Sequence, residues 1–567
     1  MKSRHLIYCI FLLFLNINLN SQNLERIAED KIITAGGSIG LNFSYYGATG
    51  MEARYRPIDY SILGSFTINL FGISFPFSAT ISEQNRSFIQ PFNQYGVSPK
   101  YKWITAHAGW RNLNYSPFTL SGHTFLGGGI ELNPGIIRFS AMYGRFLKST
   151  TGDSSITHNI TPTFERMGYG VKMGLGAQTD YCDLIFFRAS DDSNSINSKY
   201  LNHLDSESVH IKPAENMVLG LSSKFSPFSF LSFDIDGAAS VYTLDTRATS
   251  LTDFDSTGIL KQFKSIFNVR TSTQFTTAFQ TAVTYRGRGF SLRLGYKRID
   301  PDYKSMGIYY MESDVENITL SPYFSLFNNL LRIGGSIGIQ NDNLMKTKTY
   351  TSNRIIGSID LSHQQQSYGI DLRYSSYGIA QTRRLFPIKD SIPFVDSLKV
   401  ARVNHNFNSV FRLTFANESA VHNILLVGTY QTLVDMNSRT AGNTETENVT
   451  GTVTYQSVLI KSGISYGINI NAVQSNMAKS KSLFIGPILQ LNWNLGSFGV
   501  GGSFGYQIQK VDGKNKGVTT TATVQSSYQL TNSHSLRFDV NYINSTLKET
   551  EQFFNEYRSS IGYIYNF

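Results

Sequence analysis

The stretch FSLRLGYKR, residues 290–298, alternates without a break. Phe290, Leu292, Leu294 and Tyr296 share one parity, and Ser291, Arg293, Gly295 and Lys297 share the other. A period of two marks a strand with one apolar and one polar face. SLRFDVNY (535–542) and LQLNWNL (489–495) repeat the pattern. Such strands also build soluble sandwiches, so the connections decide. Short turns lie at 133–135, 179–181, 227, 286–288, 328–329, 364–366, 418–420, 461–463, 496 and 531–532. Between them lie longer polar connections near 149–164, 191–214, 246–270, 301–314, 341–350, 380–400, 436–447, 476–480, 511–516 and 548–552. Strict alternation of short and long is the habit of outer-membrane barrels, with short periplasmic turns and longer outer loops. A soluble sandwich has no reason to keep it.

Composition points the same way. The 567 residues include 40 Phe, 32 Tyr and 47 Gly but only 14 Pro, and charged residues are 16%, against an ordinary share of roughly 25%. Beyond residue 22 no apolar run approaches the roughly 18 residues of a spanning helix. Strands with one greasy and one wet face account for both facts.

The N-terminus reads as a secretory signal peptide, residues 1–21. Lys2 and Arg4 precede an apolar core, Leu6–Leu19, and a polar NLNSQ follows. The core is too short to span and is expected to be removed. Cys9 leaves with it, so Cys182 has no intramolecular partner and reads as a small buried or membrane-facing residue. Losing Lys2 and Arg4 lowers the formal charge from +10 to +8. With no basic run of five or more, this excess suits a mildly basic lumen or loops among lipid phosphates, not nucleic acid.

Counting back from Phe567 predicts about 22 strands from Tyr101 onward, and a hairpin at Tyr60–Gln84 raises this to about 24. Both counts are even, which places both termini on the periplasmic side. The predicted fold is all-β, a transmembrane antiparallel up-and-down β-barrel of residues 101–567. Natural barrels near 22 strands carry a plugged lumen, so residues 22–100 are expected to be an N-terminal plug, the first strands, or some of each.

Four stretches fit G-x-S-x-G, at 36, 334, 463 and 501. In a hydrolase this spacing makes a strand-to-helix elbow. Here the last three sit inside alternating strands with no helix after them, and the first lies in a similar extended stretch. The ten histidines are scattered without metal-ligand spacing, and no phosphate-binding loop is present. The chain is therefore not read as an enzyme, and no cofactor or metal is expected.

The remaining candidates are lumenal charges and apolar loops. Glu131, Arg138, Arg293, Lys297, Arg537, Asp539, Glu556 and Arg558 lie on the polar parity. They are read first as cross-strand ion pairs and second as determinants of ion preference. Three outer loops are unusually apolar: STGILKQFKSIF (256–267) with Phe263, SMGIYYMES (305–313) with Tyr309 and Tyr310, and RRLFPIKDSIPFVDSL (383–398) with Phe386 and Phe394. They either pack together as a cap or contact an extracellular partner or ligand.

Two resemblances add to this reading. PFNQYGVSPKYKWITAHAGWRNLNYSPFTLSGHTFLGGGIELNPGIIRFSAMYGRF (91–146), with the preceding FGISFPFSATISEQN, resembles the N-terminal part of a group of large outer-membrane barrels of Bacteroidota-type bacteria. The chain's last stretch, RSSIGYIYNF (558–567), with Ile561, Tyr563, Tyr565 and Phe567 at alternate positions, resembles the generic C-terminal assembly signal of outer-membrane barrels. In that strand Tyr557, Ser559 and the four signal residues are expected to face lipid, and Arg558, Ser560, Gly562 and Asn566 the lumen, with Ile564 the apolar exception. The strand count is similar to that of TonB-dependent transporters, but Gln22–Asp30 holds no TonB-box and the pre-barrel segment is short for their plug. These resemblances imply outer-membrane lipid and the barrel-assembly machinery as partners, in the cell outer membrane of a gram-negative bacterium after export. The expected function is a plugged or gated channel or transporter. The alternative is a non-conducting barrel subunit of an envelope secretion, assembly or surface-attachment complex, with other envelope proteins as partners.

Overall fold

The computed structural model describes residues 33–70, 73–82, 94–150, 162–196, 211–251, 267–348, 350–383, 401–436, 441–477, 480–547 and 553–567. The leader expected at 1–21 lies outside them. The chain opens with β1 (Ile33–Thr49), β2 (Ile58–Leu70), β3 (Ile73–Ser82), β4 (Gln94–Val97), β5 (Lys100–Tyr101) and β6 (Ile104–Asn112). Next come β7 (Leu120–Ser121), β8 (Thr124–Leu132), β9 (Ile137–Leu147), β10 (Glu165–Gly176), β11 (Tyr181–Asp192), β12 (Glu215–Phe228) and β13 (Leu231–Thr243). β14 (Thr273–Gly287), β15 (Phe290–Ile299), β16 (Gly307–Ile308), β17 (Val315–Leu326), β18 (Leu331–Asp342), β19 (Tyr350–Gln364), β20 (Tyr368–Arg383) and β21 (Ala401–Ala416) follow. The last are β22 (Ala420–Asp435), β23 (Thr446–Leu459), β24 (Ile464–Met477), β25 (Ser480–Leu495), β26 (Phe498–Val511), β27 (Lys514–Thr531), β28 (His534–Leu547) and β29 (Phe553–Asn566).

All but the short pair β7 and β16 join one antiparallel sheet, and β1 pairs with β29 from Ser38↔Asn566 to Thr49↔Asn555. The sheet is thereby a closed barrel of 26 strands. β5 adds no position to the ring: like β4 it bridges β3 and β6, beyond an interruption at Ser98–Pro99. Closure leaves no unpaired edge in lipid. At the seam Phe567 and Gly37 exchange both backbone hydrogen bonds, at 3.0 and 3.1 Å. Gly37 has φ +152, and a Cβ there would lie 2.4 Å from the Phe66 Cα, so only glycine fits.

The count corrects the expected 22–24. The 22 strands beyond Tyr101 and the hairpin β2–β3 are present; the two missed are β1 and β4. β1 is so rich in Gly and Ser that its alternation is weak, and β4 has four residues, too few to show a period. β1 to β4 thus take positions in the wall. The connection at 511–516, read as a longer loop, closes as a tight turn at Asp512 (φ 50) and Gly513 (φ 78). A left-handed pair of this kind is the hairpin turn that matches strand twist.

Cross-strand partners share a face, so the ladder assigns every inward and outward side chain. One face carries Leu175, Leu184, Leu294, Ile337 and Ile355, each 52% to 65% exposed; a surface this apolar is stable only against lipid. At the short-turn rim its aromatic belt runs Phe228, Phe230, Tyr285, Phe290, Phe324, with successive ring centroids 5.2 to 6.4 Å apart. At the long-loop rim the same face ends in ion pairs, Arg145–Glu165, Arg188–Glu215 and Arg298–Glu316. The opposite face lines the lumen.

Candidate functional site: the barrel lumen

Two connections turn back from the long-loop rim into the barrel: residues 113–123, between β6 and β8, and 300–314, between β15 and β17. They meet in a short parallel ladder, Leu120↔Gly307 and Ser121↔Ile308. Leu113, Tyr115, Phe118, Leu120, Tyr303 and Met306 bury themselves against inward residues of the wall, including Phe146, Ile185, Phe187, Val218, Ile299 and Val315. Each fully buried side chain of this size contributes about 1.5–3 kcal/mol before ordering costs. The wall makes room by using small residues on its inward face. A Cβ on Gly170 would stand 3.0 Å from the Tyr115 ring, and one on Gly220 would stand 2.5 Å from Thr119 Cγ2. Bulk in the loop answers absence of bulk in the strand.

Polar atoms fix the register of this packing. Fully buried Asn216 donates to Ser240 Oγ (2.8 Å) and to the Val241 carbonyl (3.1 Å), and accepts from the Met306 amide (3.0 Å). Ser240 Oγ donates to the Lys304 carbonyl (2.7 Å), and Tyr303 Oη to the Phe118 carbonyl (2.6 Å). Tyr115 reaches deepest, where Ser140 Oγ donates to its hydroxyl at 3.2 Å and the Lys172 ammonium sits 5.3 Å from its ring.

Below these segments the inward wall is charged. Arg138 makes a two-pronged pair with Asp183, at 2.8 and 2.9 Å. Glu131 contacts His107 Nε2 at 2.9 Å, and His107 Nδ1 contacts Ser98 Oγ at 2.8 Å. Arg293 donates to Asp234 at 2.7 Å, and Lys224 lies 3.9 Å from the same carboxylate. Lys297 lines, with Asp234, Asp236, Gln280, Arg293 and Asn317, a cavity of about 210 Å³. Near the seam Arg537 pairs with Asp539 at 2.8 Å, Glu556 lies 3.8 Å from Arg54, and the Arg558 guanidinium stands 5.6 Å from the Tyr55 ring centre. All eight lumen candidates therefore occupy inward positions, but in separate groups. Four belong to the loop-packed side, and four to β28 and β29.

The inward face of β22–β27 differs in kind. Between its two rims it carries Asn, Gln, Ser, Thr, Gly and a few apolar residues, and the charged residues on its parity, Asp435 of β22 and Lys514 of β27, stand at the long-loop rim. Neighbouring strands link these groups, as in Asn469 Nδ2 donating to Thr454 Oγ1 (2.7 Å) and Ser503 to Thr523 (2.7 Å). On β26, Gly499 and Gly501 leave a cavity of about 280 Å³ among Asn492, Asn494, Gln525, Ser527 and Arg537.

Of the loop candidates, Tyr309 stacks on His123 with its outer side exposed, and Tyr310 is 85% exposed. Phe263, Phe386 and Phe394 lie outside the described residues. Sequence reasoning missed segment 113–123, along with Lys172, Asp183 and Asp234. The available signal was the run of inward Gly residues on β8–β12, which only makes sense opposite something bulky.

No protein-family model matches the chain, and no curated relative matches it. Solved structures similar to it include OccK8 (OprE) of Pseudomonas aeruginosa, at 11% identity and TM-score 0.34, covering 61% of this chain and 94% of that one. OpdQ of the same organism stands at 12% and 0.34, covering 61% and 93%. Its outer membrane protein OpdK stands at 10% and 0.29, covering 63% and 94%. At these values the likeness is remote and carries no functional assignment.

Proposed function

We propose that the protein is a solute channel of the bacterial outer membrane, narrowed from one side by residues 113–123 and 300–314. The observation that carries this reading is the lumen itself. A circular ring of 26 strands at ~4.8 Å spacing and ~40° tilt has a backbone diameter on the order of 50 Å. The two inward segments cover the β8–β17 wall, and among the described residues no segment covers the inward face of β22–β27. Polar side chains on an uncovered inner face are what water and solutes need to pass.

The finer assignments belong to the same reading. Residues 1–21 are the export signal, the short-turn rim and both termini are periplasmic, and Ile561, Tyr563, Tyr565 and Phe567 form the signal read by the assembly machinery. Cysteines placed at Asn443 and at Glu418 report the orientation, because their connections lie at opposite rims; labelling of both from one side of the membrane contradicts it.

Planar-bilayer recording tests the function. The purified barrel is expected to conduct, and replacing 305–312 with a Gly-Ser linker is expected to raise the conductance. A barrel that is silent in both forms overturns the channel reading and favours a non-conducting subunit of an envelope complex.

A further inference from the structure

The lumen is divided by charge. The loop-packed side carries ion pairs such as Arg138–Asp183 and Arg293–Asp234, whereas between its rims the facing wall of β22–β27 offers amides, hydroxyls and a few apolar groups. A charged solute lying against those strands loses water and finds no counter-charge. A neutral solute whose hydroxyls both donate and accept finds partners of the same dual character.

The concave place on this wall is the glycine notch of β26. A Cβ on Gly501 would lie 2.2 Å from Asn492 Oδ1 and 3.2 Å from Gln525 Nε2, and one on Gly499 would lie 2.9 Å from Ser527 Oγ and 3.2 Å from Asn494 Oδ1. Four polar tips thus converge over two residues that have no side chains. Asn494, Gln525 and Ser527 make no side-chain hydrogen bond among the described residues, so their donors and acceptors are open to a ligand. The one charged group at the rim, Arg537, is already neutralised: its Nε donates to both Asp539 carboxylate oxygens, at 3.0 and 2.8 Å. A cavity of about 280 Å³ takes one to two sugar rings.

We infer that the solutes recognised on this wall are neutral saccharides, held at a subsite formed by Asn492, Asn494, Gln525 and Ser527 over Gly499 and Gly501. The inference rests on the channel reading for its route of access, but not for binding.

The test is ion-current blockade of the reconstituted full chain by maltohexaose, with oligogalacturonate of equal length as the charged probe. Maltohexaose is expected to block in a concentration-dependent way and oligogalacturonate to block more weakly. Gly501→Val, which fills the notch, is expected to weaken the maltohexaose block by about fivefold or more, read as the fraction of each form's own open-channel current. Gln525→Leu is expected to do the same with less change of volume. Conductance without maltohexaose block, or an equal block by the acidic oligomer, overturns the saccharide assignment and leaves the channel reading standing. A silent barrel overturns the channel reading instead; calorimetric titration of the detergent-solubilised protein with maltohexaose then decides the subsite, and absence of binding overturns it.

Discussion

Tyr309 lies flat on His123, with ring centroids 3.9 Å apart and planes 12° apart. Its hydroxyl contacts Thr124 Oγ1 at 2.7 Å and accepts from the Thr124 amide at 3.3 Å. The stack joins two segments almost two hundred residues apart in sequence and holds both against Phe146, which meets His123 edge-on at 4.9 Å. Removing the ring in Tyr309→Ala is expected to loosen segment 300–314 without opening the barrel. Proteolysis within 300–314 should become faster, while heat-modifiable migration of the folded barrel stays unchanged.

The same histidine makes this contact sensitive to acid. Burial pushes the His123 imidazole down to about 4, with Arg166 adding to the effect and the Thr124 carbonyl opposing it. In a released segment the ring titrates near 6.5. The packed state therefore has its full stability above about pH 6.5 and loses it progressively as pH falls toward 4, because only the released ring binds the proton. Conductance or loop proteolysis should rise between pH 7.5 and pH 5 in the wild type, and the rise should be smaller in His123→Phe. Equal responses in both would assign the acid sensitivity to another group.

Arg138 and Asp183 test the charged wall. The Asp183 side chain is 2% exposed and depends on Arg138 for two of its contacts. Arg138→Ala leaves a buried carboxylate unpaired, at a cost of about 3–5 kcal/mol. Denaturant unfolding in detergent should show this loss, and the double variant Arg138→Ala, Asp183→Asn should recover much of it.

Gly220 tests whether wall and loop are matched in size. Gly220→Val places methyl groups where Thr119 Cγ2 now stands. The expected outcome is a folded barrel with segment 113–123 displaced and conductance raised, since overpacking is relieved more cheaply by moving a loop than a strand. Unchanged conductance and unchanged proteolysis of that segment would count against the match.

The seam gives a fifth test, of assembly. Phe567 bonds Gly37 in both directions, and its ring lies 6.0 Å from Phe66 and 5.3 Å from Tyr565. Truncating Tyr563 and Phe567 to Ala should lower the folded fraction recovered from the membrane, measured by heat-modifiable migration, more than the same change at Tyr557 and Phe553.

What was legible in the sequence follows from periodicity. Alternation in FSLRLGYKR and SLRFDVNY places Arg293, Lys297, Arg537 and Asp539 on the inward face, because the period of a strand is a local property. The turns were legible for the same reason, Asn133–Gly135 and Arg286–Arg288 among them. Even Ile564, the apolar residue on the wet parity of the closing strand, finds its place by register: it stands across from Gly40, which leaves it room. β1 and β4 were hidden, one by glycine and the other by its length.

Spacing along the chain thus set the sheet, its two faces and nearly all of its connections. What the lumen contains follows from the folded ring. That Arg138 meets Asp183, that Tyr309 covers His123, and that four amide and hydroxyl side chains converge on Gly499 and Gly501 are contacts across strands and loops far apart in sequence. They are set by ring closure, by strand register and by the fit of bulky loop residues to glycine on the wall, none of which is a property of any short stretch.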